Sequence, residues 1–497
     1  MAQETTFSAT FESLETFHCP DWFRDAKLGF WSHWGPQSVP TLFGNWYARN
    51  MYEEGSSAYL YHLRHYGHPS RFGYKDIVKL WKAEKFDPDA LMDRYVKAGA
   101  RYFVGQAMHH DNFFNYPSKL NRFNSVQMGP MKDICGMWKR AAENHHLPFG
   151  LTEHLDRSFD WWRNNKGADK AGPYAGVPYD GTDPAYKDFY FDNAGEEGPR
   201  LEAQRERFRE YWLAVMKEII DRYTPDLLYT DGGLPFGRWD ENRRVYVSPR
   251  SDASYRYGLE AVSYLYNKSI AKYGENRAVY NHKDKRPELS AIGVLDVERG
   301  QLPEINPKPW QTDTCIGQWF YNALKEYKKP NHVIEMFIDI VSKNGTLLLN
   351  ILQLPDGTLD EETEYLLKEM ASWTSICAEG IYHTRPWRVF KEGGANVSTK
   401  EYSEDAVPWT ESDYRFTAKG SGNLLTVYAF MMKAPELRPE NRAAVIRSFT
   451  PDEKVTAVRL LGHGTVPFSQ NFGVLTVSLP RELPTAYPNC LAIQVGK

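Results

Sequence analysis

An apolar run, Pro225-Asp226-Leu227-Leu228-Tyr229-Thr230, stops abruptly at Asp231-Gly232-Gly233. A buried strand that delivers an ionisable group at its carboxyl end, followed by glycines that let the chain turn, is how β/α proteins build active sites. The pattern recurs. Leu28–Trp31 runs into His33, Arg101–Ala107 into His109-His110-Asp111, and Phe149–Thr152 into Glu153 and His154. Ala278–Tyr280 runs into Asn281 and His282, Val294–Asp296 into Glu298, and Gly345–Leu349 into Asn350.

Helices separate these strands. Asp87-Pro88 reads as an N-cap with proline at the first helical position, and Gly99 as the residue that ends the helix. Leu201, Phe208, Trp212, Val215 and Ile219 recur at helical spacing before Pro225. Helix, short loop, apolar strand and polar terminus predict a (β/α)8-like TIM barrel over residues 1–385. From Pro386 the texture changes to short strands with turn signals, such as Leu424–Ala429, Val455–Leu460, Gly473–Ser478 and Cys490–Val495. These predict a second domain, an antiparallel β-sandwich over 386–497. Two domains suit a chain of 497 residues, longer than one hydrophobic core usually serves. The stretch 164–199, rich in Gly, Pro, Asp and Tyr and without periodicity, reads either as a binding lid or as a packed surface excursion.

Sixty basic against 64 acidic residues leave no global field to attract nucleic acid or anionic lipid. No apolar run is long enough to span a membrane. Met1-Ala2-Gln3-Glu4 reads as a mature secretory N-terminus with an added Met, so a secreted or periplasmic protein is expected. Five scattered cysteines lack CxxC spacing and predict neither a zinc ribbon nor a disulfide framework. The sequence carries no signal of oligomeric state. Fifteen Trp and 31 Tyr offer flat amphipathic faces suited to neutral, part-hydroxylated partners such as sugars.

Glycosidic hydrolysis needs two carboxyl groups. Asp231 is the first candidate. Glu298 is preferred to Asp296 as the second, because side chains alternate along a strand and the later residue lies nearer the mouth. His109 and His110 are assigned to sugar hydroxyls rather than a metal, there being no HExxH and no thiolate or carboxylate at metal-site spacing. No cofactor is required.

Together these residues resemble the α-L-fucosidases of glycoside hydrolase family twenty-nine. The resemblance rests on Ala26–Pro40, Asn45-Trp46-Tyr47, Ala98–Val104 with His109-His110-Asp111, Pro225–Gly232, Asp339–Asn350, Pro355-Asp356-Gly357 and Thr384–Trp387. It implies a barrel with a C-terminal β-sandwich and exo-hydrolysis of fucosylated oligosaccharides or polysaccharides with retention of configuration. Asp231 falls on the family's nucleophile and Glu298 on its general acid/base, with Glu288 the weaker candidate and burial expected to keep Glu298 protonated. His33, Asn45, Trp46, His109, His110, His154 and Tyr229 are expected around the sugar, with Trp31 and Trp319 forming an apolar wall near its methyl group. Three departures stand out: Asn45 where many members have Glu, Trp310-Gln-Thr-Asp-Thr-Cys315 in place of Trp-Glu-x-Cys, and Tyr229 in place of Trp. They leave an α-L-galactosidase as the alternative on the same scaffold. A carbohydrate-binding barrel without catalysis is a rival from another class, and a metal-dependent hydrolase using His109 and His110 a third.

Overall fold

The computed structural model describes residues 6–240, 245–324, 326–434 and 442–496. Eight parallel strands close into a barrel in chain order: Leu28–Ser32, Tyr102–Gln106, Phe149–Glu153, Leu227–Thr230, Val279–His282, Val294–Glu298, Trp310–Cys315 and Gly345–Asn350. The last pairs with the first, Leu28 opposite Leu347. Seven lie where the apolar runs placed them. The eighth, Trp310–Cys315, is polar at four successive positions and was not read as a strand. Its side chains are nevertheless all buried, because the barrel interior supplies partners: Gln311 accepts from the Tyr102 hydroxyl at 2.8 Å and donates to Asp296 at 2.8 Å.

The Asp87 cap accepts from the Ala90 amide, and Gly99 ends the Pro88–Ala98 helix at φ +114°, where only glycine sits without strain. Gly29 has a different reason. A Cβ there would come 2.2 Å from the Tyr102 ring, which fills the barrel floor. The helix Pro199–Tyr223 buries Trp212, whose indole N–H reaches Glu153 at 3.0 Å.

The β/α rhythm thins on one side. Between Val279–His282 and Val294–Glu298 there is one helical turn, Pro287–Ser290, and between Val294–Glu298 and Trp310–Cys315 no helix at all.

The 164–199 stretch is the packed excursion rather than an open lid. Asp169 accepts from the Tyr59 and Tyr179 hydroxyls, at 2.5 and 2.6 Å, and faces His68 at 3.2 Å. Asp180 accepts from Tyr52 and Tyr190, each at 2.7 Å.

Beyond the barrel, six antiparallel strands run in the order Arg385–Glu392, Tyr414–Lys419, Leu425–Met431, Asn489–Gly496, Lys454–Leu460, Gly464–Thr465, with a three-stranded sheet of Ala443–Ile446, Val474–Ser478 and Phe468–Asn471. Phe416, Val427, Val458, Leu475, Leu491 and Ile493 form their own core between the sheets. A buried ion triad joins the two parts: Asp339, on the barrel helix Pro330–Ser342, forms an ion pair with Lys343 at 2.7 Å and accepts from the guanidinium of the sandwich's Arg415. No disulfide joins any of the five cysteines, and among the described residues no helix is long and apolar enough to cross a membrane.

Candidate active site

Asp231 stands one residue past the Leu227–Thr230 strand, its amide bonded to the Glu153 carbonyl at 3.2 Å. Its Oδ1 accepts from Lys283 at 2.9 Å, and its Oδ2 faces His154 Nδ1 at 3.4 Å and His110 Nε2 at 3.5 Å. Burial alone would push this carboxyl up. The Lys283 ammonium and the two imidazoles outweigh that and hold it well below the ordinary carboxylate range.

Lys283 also bonds Glu298 Oε2 at 2.7 Å and lies 3.4 Å from Asp313. Burial disfavours its charge, but the three carboxylates keep it an ammonium, well above the usual lysine range. Because one nitrogen touches both Asp231 and Glu298, at 2.9 and 2.7 Å, those oxygens are at most about 5.6 Å apart, the sum of the two distances. Glu298 is at the mouth as expected, although alternation does not separate it from Asp296. The two are two residues apart and share the inward face, and height distinguishes them. Asp296 lies one layer down, fully buried, with burial and Asp313 pushing its carboxyl up. Burial pushes Asp313 up to about 6 against the pull of Lys283, and it accepts from the Tyr229 hydroxyl at 2.9 Å.

Burial does not isolate Glu298: its side chain keeps 19% exposure and contacts an ammonium.

His109 and His110 lie beyond the strand, which ends at Gln106, in a turn whose Asp111 accepts from the Phe113 amide at 3.1 Å and the Tyr74 hydroxyl at 2.6 Å. Strand alternation therefore does not govern them, and both rings turn inward. Gln37 donates to His109 Nδ1 at 2.9 Å, leaving Nε2 to carry the proton into the site. His110 Nδ1 donates to the His154 carbonyl, which turns Nε2 toward Asp231. His33 stacks edge-on against His109 and His154, with ring centroids 4.9 and 5.1 Å apart. Burial, reinforced by neighbouring imidazoles, holds His33 and His109 neutral, well below the usual histidine range, and lowers His154 to about 4.

Trp31 and Trp319 meet at 5.5 Å beside His33, and Tyr229 packs on Trp31 at 5.3 Å. Trp46, 37% exposed, stands edge-on to His110 at the rim. Two candidates do not join this cluster. Asn45 faces an outer groove of about 370 Å³ with Leu42, Gln318 and Asn322, because Trp46, in a left-handed conformation at φ 56°, turns the chain between them. Glu288 sits exposed on the one-turn helix, its carbonyl accepting from Arg250 at 3.2 Å.

Lys283 and Asp313 were not singled out from the sequence. Lys283 was within reach, since it lies two residues past the inward-facing Asn281 and so shares its face. Two sets, His33, His109 and His154, and His110, His154 and Asp231, bring possible metal-ligand atoms within 4.8 Å of one another.

The chain is 26% identical over 489 residues to human tissue alpha-L-fucosidase, covering 97% of this chain and 90% of the relative. Against human plasma alpha-L-fucosidase the identity is 25% over 480 residues, covering 93% and 85%. Among solved structures, Thermotoga maritima alpha-fucosidase in complex with fucose shares the fold at a TM-score of 0.69 and 23% identity, over 98% of this chain and 100% of that one. The alpha-L-fucosidase isoenzyme 1 of Paenibacillus thiaminolyticus does so at 0.65 and 18%, over 99% and 100%. The family model described as Alpha-L-fucosidase matches residues 1–379, and the chain therefore belongs to the alpha-L-fucosidase family of glycoside hydrolases.

Proposed function

We propose that the protein is a retaining, exo-acting α-L-fucosidase, secreted or periplasmic, with its catalytic barrel in residues 1–385. The observation that carries this reading is the placement of Asp231 and Glu298 on one ammonium, their nearest oxygens at most about 5.6 Å apart, beneath a cup of neutral imidazoles and indoles. Carboxyl groups about 5 to 5.5 Å apart suit double displacement, whereas inversion needs roughly 6.5 to 9.5 Å to admit a water.

In the first step Asp231 attacks the anomeric carbon, the bond to the leaving oxygen breaks, and a proton passes from Glu298 to that oxygen. In the second, Glu298 takes a proton from water, whose oxygen displaces Asp231 and restores the α configuration. Protonating Glu298 for the first step leaves Lys283 paired to Asp231 and Asp313, so the nucleophile keeps its charge. The histidines donate to and accept from sugar hydroxyls. Trp31 and Trp319 give the sugar's methyl group an apolar wall, which supports L-fucose over L-galactose, whose added hydroxyl would have to be desolvated there.

Asp231→Gly tests the reading. The variant should lose turnover of nitrophenyl α-L-fucoside by on the order of 10⁴-fold and recover part of it with azide, yielding a fucosyl azide of inverted configuration. A variant that keeps turnover refutes the assignment of the nucleophile. Wild-type activity is expected to survive exhaustive chelation, which a metal held by the histidines would not permit.

A further inference from the structure

Between the sandwich strands Arg385–Glu392 and Tyr414–Lys419 the chain does not turn back directly. Residues 393–413 leave the sheet and cross to the barrel mouth on the side that lacks a helix. There Glu401 pairs with Lys285 at 2.6 Å, and the Tyr402 amide donates to the Arg299 carbonyl at 2.8 Å. The Glu404 side chain, only 7% exposed, accepts from Arg299 at 2.7 Å, from Lys328 at 3.0 Å and from the Thr314 hydroxyl. Gly300 makes room for this approach, since a Cβ there would stand 3.1 Å from the Glu401 Cα. The segment is thus fastened to the two residues that follow Glu298 and to the loop after Cys315.

These anchors fix Tyr402 between them in a left-handed conformation, φ +61°. Arg299 sits 5.8 Å from its ring, its phenol faces Glu298, and the ring keeps 54% exposure. Partial burial and then the Glu298 carboxylate hold that phenol protonated, above the usual tyrosine range. An exposed aromatic face, locked by backbone on one side and open to solvent on the other, is the kind of surface that binds the C–H face of a pyranose. Its position settles which pyranose. A group that protonates the leaving oxygen must have the leaving group on its outer side, and Tyr402 is what stands beside Glu298 there.

We propose that Tyr402, supplied by the sandwich, is the platform of a leaving-group subsite that takes an uncharged hexopyranose, the sugar released from the anomeric carbon. This rests on Glu298 being the acid, and the test separates the two. Two substrates are compared: α-L-fucosyl fluoride, which presents no sugar beyond the bond and needs little proton donation, and the better cleaved of 2′- and 3-fucosyllactose. Tyr402→Ala should lower kcat/KM on the trisaccharide about tenfold, the worth of one aromatic contact, with a loss at least fivefold smaller on the fluoride. Tyr402→Phe, which keeps the ring, should stay within about threefold of wild type on both. Tyr402→Gln, which keeps length without the ring, should behave as the alanine variant does and reports in its place if alanine does not fold. Equal losses on both substrates, or none on either, overturn the platform. Glu298→Gln judges the underlying reading: kcat/KM on the trisaccharide should fall by about 100-fold or more while kcat/KM on the fluoride, which reports only the first step, is largely retained, and kcat on the fluoride falls because the second step has lost its base. If it retains the trisaccharide, the acid assignment fails whatever Tyr402 does.

Discussion

The two sides of the barrel mouth are built from different chemistry. The strands Leu28–Ser32, Tyr102–Gln106 and Phe149–Glu153 end in rings: His33, His109, His110 and His154, with Trp31 on the strand itself. Of these imidazoles, burial holds three neutral. The strands Leu227–Thr230, Val279–His282, Val294–Glu298 and Trp310–Cys315 present charge instead, with Asp231, Glu298 and Asp313 each in contact with Lys283. Neutral donors and acceptors can grip hydroxyls in the substrate and in the transition state alike. Fixed charges matter where charge develops, at the anomeric carbon. Recognition and chemistry are thus assigned to opposite walls, and the charged wall is also the one with the thinnest helical cover.

If that division holds, the largest effect comes from the centre of the charged wall. Lys283→Met leaves Asp231, Glu298 and Asp313 facing one another without a counter-ion. A loss of about 10³-fold in kcat is expected, on the scale of removing one preorganised electrostatic partner, with KM changed much less. Steady-state kinetics on nitrophenyl α-L-fucoside decides it. A loss below tenfold would mean that the ammonium is a structural counter-ion only.

Next in size is the joint that brings the sandwich to the charged wall. Asp339→Asn leaves Arg415 and Lys343, each about 2% exposed, without their shared carboxylate. Breaking a buried pair from one side costs about 3–5 kcal/mol. Urea unfolding should register that loss, while kcat at a temperature where the variant is folded stays near wild type. A collapse of kcat in the folded variant would show that the joint reaches into the site.

The two walls were unequally legible in the sequence. The ring-bearing strands are apolar runs with abrupt polar ends, so periodicity finds them and their terminal histidines. The charged wall hides one of its four strands, because that strand's polar side chains are satisfied inside the barrel. Gln311, Thr312, Asp313 and Thr314 form a strand without an apolar run, since its burial is compensated by hydrogen bonds to Asp296, Tyr102 and the Gly300 carbonyl rather than by apolar packing. Lys283 follows a strand end that was recognised, and alternation from Asn281 would have named it. Tyr402 had no local signal, because its partners are about a hundred residues away. Asn45 shows the opposite limit: adjacency to Trp46 in sequence suggested a shared site, and the left-handed turn at Trp46 sends the two side chains to different surfaces.

On the ring wall the effects should be smaller and should fall on binding. His109→Phe keeps the ring's bulk but leaves the Gln37 amide without its acceptor and removes the N–H directed into the site. About 2 kcal/mol is expected, or roughly 30-fold in kcat/KM, carried mainly by KM. A loss confined to kcat would move His109 from recognition to chemistry and blur the division between the walls.

The smallest expected effect is a pH dependence that separates the walls by sign. His154 is lowered by burial to about 4 in the folded protein against an ordinary 6.5, so the unfolded chain binds the proton first. Its stabilising contribution is complete above about 6.5 and declines as pH falls toward 4, by at most about 1.4 kcal/mol per pH unit. Asp313, raised to about 6, works the other way: its contribution is complete below about 4 and is lost as pH rises through 6. Acidification therefore weakens the ring wall while relieving the charged one. The stability difference between wild type and His154→Gln isolates the histidine, since Asp313 is common to both. Measured by urea unfolding at pH 6.5 and 5.5, that difference should shift against the wild type by up to about 1.4 kcal/mol. A difference that stays flat would mean that His154 titrates in the folded protein as it does in the unfolded chain, and one that shifts in favour of the wild type would mean that it is already charged, paired with Asp231, and belongs to the charged wall.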